Sequence, residues 1–127
     1  MSSIGSIYTD FTLKAAYCFD NKSFEYQHFC GLVFDSKLEL MKKEIVKYLI
    51  LTPKEKVPGC WFIQGKKEKE DYRIEVSIDE DGRNLIYAME CVTFEECRRF
   101  FFDFLDKKHI PDITDWSFVG EFASPEE

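Results

Sequence analysis

A chain of 127 residues, 45% hydrophobic and 17% aromatic, carries enough apolar surface for one packed core and too little length for a second, so a single domain over 1–127 is expected. Its formal charge of −7 opposes attraction to a phosphate backbone, which sets direct nucleic-acid binding aside and favours basic partners. Five cysteines without a C-x-x-C pair argue against a disulfide framework, and the lack of any run of roughly eighteen apolar residues argues against a membrane span.

Met1-Ser2-Ser3-Ile4-Gly5 has no cationic stretch leading into an apolar run, so a cytoplasmic protein with reduced thiols is the expectation. Phe11, Leu13, Ala15 and Tyr17 alternate, Asp20-Asn21-Lys22-Ser23 is a turn cluster, and Phe24, Tyr26 and His28 alternate again. A hairpin fits this best, while Leu13, Ala16 and Tyr17 keep a helix over 10–19 open. Ser36-Lys37-Leu38-Glu39 has the capping-box pattern and predicts a helix over 37–51, with Leu38, Met41, Ile45, Tyr48 and Leu49 inward and Pro53 stopping it. After a polar connector over 54–59, Cys60-Trp61-Phe62-Ile63-Gln64 reads as a central strand. Lys54, Lys56, Lys66, Lys67 and Lys69 are interrupted by Glu55, Glu68 and Glu70, which marks solvated loop and strand ends rather than a phosphate track.

The region after Glu70 has the strongest pattern. Tyr72, Ile74, Val76 and Ile78 alternate with polar residues, as do Leu85, Tyr87, Met89 and Cys91 after Asp81-Gly82. A two-residue turn at Asp81-Gly82 sets Ile78 against Leu85, Val76 against Tyr87, Ile74 against Met89 and Tyr72 against Cys91, all on one face, with Arg73 opposite Glu90 on the other. Thr93-Phe94-Glu95-Glu96 is a second capping box and starts a helix over 94–109, whose stripe is Phe94, Cys97, Phe101, Phe104 and Leu105. Trp116, Phe118 and Phe122 then suggest a last strand or extended arm before the acidic tail Ser124-Pro125-Glu126-Glu127. The expected fold is α+β: an antiparallel sheet with two amphipathic helices on one face.

Catalysis needs a positioned acid, base or nucleophile, and the residues show no such cluster. His28 and Cys30 lack a second pair with metal-ligand spacing, and His109 suits the negative end of a helix. Cys91 and Cys97 both fall on inward faces, as core thiols rather than a redox pair. Asp79-Glu80-Asp81-Gly82 lacks the later glutamate of a calcium loop, and the isolated Gly31 and Gly65 form no phosphate cradle. No catalytic residue, metal or cofactor is therefore expected. Phe102 breaks the pattern, because it falls beside Glu95, Arg99 and Asp106 on the polar side of its helix. Either the C-terminal arm with Trp116 and Phe118, or the N-terminal segment, covers it, or it is an exposed anchor for a partner.

Cys60-Trp61-Phe62-Ile63, the hairpin over 72–91, Thr93-Phe94-Glu95-Glu96-Cys97 leading into an aromatic helix, and Ile110-Pro111-Asp112 before Trp116 combine with small size and acidity. In these features the chain resembles the bacterial immunity proteins that neutralise polymorphic or contact-dependent-inhibition toxins. The likeness is architectural and covers about the C-terminal half. It implies a protein that binds a cognate toxin domain, often a nuclease, over its active site or a neighbouring surface. Readings from other classes are a phage-encoded inhibitor, a regulatory subunit, or a small enzyme whose site, from His28, Cys30 and a carboxylate, assembles only in the fold. Under the immunity reading, the partner surface is expected at Asp79, Glu80 and Asp81 or at Glu68, Glu70 and Asp71. It also needs an aromatic anchor, and Phe102 serves only if it is left uncovered.

Overall fold

Eleven elements follow one another in the computed structural model, which describes residues 5–124: β1 (Ile7–Tyr8), β2 (Phe11–Tyr17), β3 (Ser23–Tyr26), β4 (Phe29–Cys30), α1 (Gly31–Lys42), β5 (Val46–Pro53), β6 (Cys60–Glu68), β7 (Asp71–Glu80), β8 (Arg83–Val92), α2 (Phe94–Lys107) and β9 (Ser117–Phe122). β1 and β4 pair with each other; the other strands form one antiparallel sheet of seven in the order β3-β2-β5-β6-β7-β8-β9. The fold is α+β, with both helices packed against the sheet. The tail from residue 125 lies outside the described residues.

β7 and β8 meet at Asp81-Gly82, where φ values of 55° and 83° make the left-handed pair of a tight hairpin turn. Ile78 faces Leu85, Val76 faces Tyr87 and Ile74 faces Met89, as alternation predicts. The last pair departs from it: a bulge sets Tyr72 opposite Val92, and Cys91 is extruded with φ 59° and exposed. Cys91 is therefore not a core thiol, because the extra residue of a bulge leaves the alternation of its strand. The β2–β3 hairpin forms at Asp20-Asn21, both left-handed, with Leu13 opposite Tyr26 and Ala15 opposite Phe24. β6 is the fourth of seven strands, the central place expected for it.

The helix expected over 37–51 is corrected at both ends. α1 starts at Gly31, whose amide donates to the Ser6 carbonyl, and Ser36 lies inside it with its hydroxyl donating to the Val33 carbonyl, not at a cap. It stops at Lys42 because Glu44 turns left-handed at φ 63°, with Glu44 N–H bonded to Met41 O and Ile45 N–H to Leu40 O. That pair of bonds is the Schellman closure, here built on a glutamate where glycine is usual. The chain then reverses into β5, whose Val46, Leu49 and Leu51 are buried. α2 ends two residues earlier than expected and has the complete Thr93/Glu96 capping box.

The core lies between the helices and the sheet. Phe101 of α2 meets Phe34 of α1 edge to face at 5.3 Å, and Phe104 meets Phe11 of β2 at 5.4 Å. Phe102 belongs to this core: it packs on Phe34 at 5.3 Å, with the Arg98 guanidinium 4.8 Å above its ring. The flank that a lone helix would turn to water is the flank α2 turns to α1, and Arg98 bridges it by an ion pair to Asp35 at 2.7 Å. Trp116 packs on Phe100 instead, at 5.6 Å.

Gly65 in β6 lies under Phe101. A Cβ there would sit 2.9 Å from Ile74 Cδ1 and 3.0 Å from the Phe101 ring. Gly65→Ala is expected to cost about 1–3 kcal/mol in urea unfolding through overpacking. Ile74→Val removes the nearest methyl, so it should cost less in the Gly65→Ala background than in the parent. Thiol chemistry checks the burial pattern independently: Cys18 and Cys91 are exposed, whereas Cys60 and Cys97 are buried and desolvation pushes both thiols up to about 12. Native-state alkylation at pH 8 is expected to label Cys18 and Cys91 first and Cys60 and Cys97 only on unfolding.

Candidate functional site

The two acidic clusters singled out in the sequence lie at opposite ends of β7. Glu68 and Asp71 pair across the β6–β7 turn around Lys69-Glu70, while Asp79 and Glu80 end the strand before Asp81. Ten residues of strand set the two ends about 30 Å apart. They form no common surface, and Phe102, buried under α1, joins neither. His28 is exposed in the turn before β4, and Cys30 is the residue from which α1 starts.

The Asp79–Asp81 end is braced from below. Asp79 accepts from Lys56 and from the Gly82 amide at 2.8 Å, and the Lys56 ammonium stands 4.3 Å over the ring of buried Trp61. Trp61 Nε1 donates to the Arg83 carbonyl at 3.4 Å, which ties the start of β8 to β6. Arg83 grips Glu121 of β9 with two nitrogens, at 2.9 and 3.3 Å. Hydrogen bonding to Lys56 holds the Asp79 carboxyl below its ordinary range, and bonding to Arg83 does the same for Glu121. These two carboxylates are matched by cations. Glu80 and Asp81 are exposed and make no ion pair among the described residues; they act on Arg83, already held by Glu121, at longer range and add to the outward field of the tip.

β9 runs back along β8 towards this tip and brings apolar groups to it. Phe118, Val119 and Phe122 are 58%, 42% and 53% exposed. A bulge at Val119 shifts the strand's parity, because Phe118 pairs with Tyr87 while Gly120 pairs with Ile86. Phe118 thus lies on the helix side, its ring 5.4 Å from Tyr87, and Phe122 on the opposite side opposite Asn84. Even spacing in the sequence marks Phe118 and Phe122 as strand residues of one face; the bulge between them puts them on two. Asn84 is buried, bonded to Ser77 and to the Ala123 carbonyl at 3.1 Å, which fastens the end of β9 beside the tip.

The sheet face away from the helices holds a concavity of about 330 Å³ lined by Tyr48, Ile50, Gln64, Lys66, Arg73 and Glu75. Its polar groups answer one another: Glu75 accepts from Gln64 and from Arg73 at 2.8 Å, and Arg73 reaches Glu90 at 3.2 Å. The Arg73–Glu90 pair is the one alternation predicts. Among the described residues no buried side-chain nitrogen or oxygen lacks a partner, no group of three or more His, Cys, Asp or Glu is placed to hold a metal, and no helix is long and apolar enough to cross a membrane.

A carboxyl held low by a cation contributes stability above its unfolded value near 4 and loses that contribution as pH falls through its folded value. In a ¹³C-carboxyl titration Asp79 and Glu121 should therefore titrate below the ordinary range. Lys56→Ala is expected to return the Asp79 midpoint towards the ordinary range and leave Glu121 unmoved. Compared with protein-family models, with curated proteins and with solved structures, the chain matches none.

Proposed function

We propose that this chain is a binding protein of the immunity type, which neutralises a basic toxin domain by setting carboxylates where that domain holds substrate phosphates. The observation that carries this reading is the meeting, at one corner of the sheet, of the exposed Glu80 and Asp81 with the exposed Phe122, with Phe118 and Val119 exposed farther along the same strand. Interfaces draw their energy from aromatic side chains that become buried, and charge steers the encounter and selects the partner. Both ingredients stand together here. The Glu68, Glu70 and Asp71 end has carboxylates too, but Lys66 and Lys67 lie among them, with Lys66 3.3 Å from Glu68. Of the two acidic ends, the Asp79–Asp81 tip is thus the better partner site, and Phe122 replaces Phe102 as its anchor.

The net charge of −7 agrees with a basic partner, since long-range attraction raises the association rate. The test is co-expression with the product of the adjacent gene, scored by relief of its toxicity and by binding kinetics. Glu80→Lys with Asp81→Lys is expected to slow association about tenfold or more at low salt and to flatten the salt dependence. Phe122→Ala should leave association unchanged and speed dissociation. An adjacent product that is harmless, or that is neutralised equally well by all these variants, refutes the assignment.

A further inference from the structure

We propose that the edge of β9, unpaired among the described residues, takes up an extended, basic segment of the partner as an eighth strand beside the seven of the sheet. The proposal rests on the binding reading above and specifies its mode of contact. An edge strand offers a row of unpaired amides and carbonyls, and natural edges are guarded by lysine, proline, shortness or a bulge. β3, at the other edge, has four residues flanked by Lys22, carries Glu25, and has Phe24 packed on Tyr17 at 5.6 Å. β9 has six residues without lysine or proline, and its one charge, Glu121, is taken up by Arg83. Its one guard is the Val119 bulge, which leaves apolar groups on both faces. A strand laid along it would cover Phe118 on the helix side and Phe122 on the other, as alternate side chains of an added strand do.

Charge decides the occupant. From Ile110 to Ser124 the chain carries Asp112, Asp115 and Glu121 and no lysine or arginine, and Glu80 and Asp81 lie beyond Arg83 at the end where Glu121 sits. Both ends of the edge are acidic. A second copy laid antiparallel would bring two chains of charge −7 together with these carboxylates facing each other, whereas lysines or arginines flanking an apolar run would meet them.

The probe is a synthetic peptide of about eight residues with lysines at both ends of a valine run, with two controls: glutamate in place of lysine, and the lysine peptide N-methylated along its backbone. At ten times its dissociation constant the lysine peptide is expected to slow amide exchange in β9 about tenfold. The glutamate and N-methylated peptides should not, and Phe118→Lys should abolish the effect while the variant still melts cooperatively. Binding of the N-methylated peptide as tightly as the parent, or binding without protection in β9, overturns strand addition. Concentration-dependent dimerisation that protects β9 overturns the basic occupant. A neutralised toxin whose complex leaves β9 amides unprotected refutes this proposal and spares the immunity reading. Protection of β9 by the peptide when no adjacent toxin is bound supports this proposal while the immunity reading falls.

Discussion

Phe101 stands where three elements of the molecule touch. Its ring lies over Gly65 in the central strand, meets Phe34 of the neighbouring helix edge to face, and leaves no room for a β-carbon beneath it. A helix approaches a sheet this closely only over a residue without a side chain, so the seat of α2 is set by one glycine and one phenylalanine. From that seat the rest follows. Phe102, one position on, is turned to Phe34, Phe104 reaches Phe11 in β2, and α1 is held beside α2. The helices thereby cover the middle of one sheet face and leave the β9 edge outside their shelter.

The charges are distributed in a way that suits this arrangement. Cations are taken up mostly between elements: Lys56 by Asp79, Arg83 by Glu121, Arg73 by Glu75 and Glu90, Arg98 by Asp35. The excess of carboxylates is left at turns, where solvation costs least. At the β7–β8 turn that excess rests on a braced support of Trp61, Lys56 and the Arg83 fork. A turn whose support is already fixed in place loses less freedom when a partner arrives.

Strongly periodic stretches were legible before any coordinates. The β7–β8 register, the β2–β3 hairpin, the central place of β6, the capping box at Thr93 and the last strand all follow from alternation or from turn and cap chemistry. The departures share one cause, a backbone event with no compositional marker. Glu44 adopts a left-handed conformation that the sequence does not advertise as Gly or Asn would, so a helix and the strand after it read as one long helix. Bulges at Cys91 and at Val119 each reverse the side facing water, and single-residue insertions leave no trace in an apolar pattern.

The sequence by itself determined the class of fold, the pairing of its best hairpin and the sign of its field, because these depend on period, turn residues and formal charge. Only the tertiary structure decided which charges are free and which aromatics are exposed. Glu121 and Asp79 are neutralised by partners 38 and 23 residues away in sequence, Phe102 is buried by a helix whose position no local pattern encodes, and Phe122 meets the acidic tip only because β9 runs back along β8. Each depends on contacts between elements distant in the chain, and such contacts arise from packing rather than from any local run of residues.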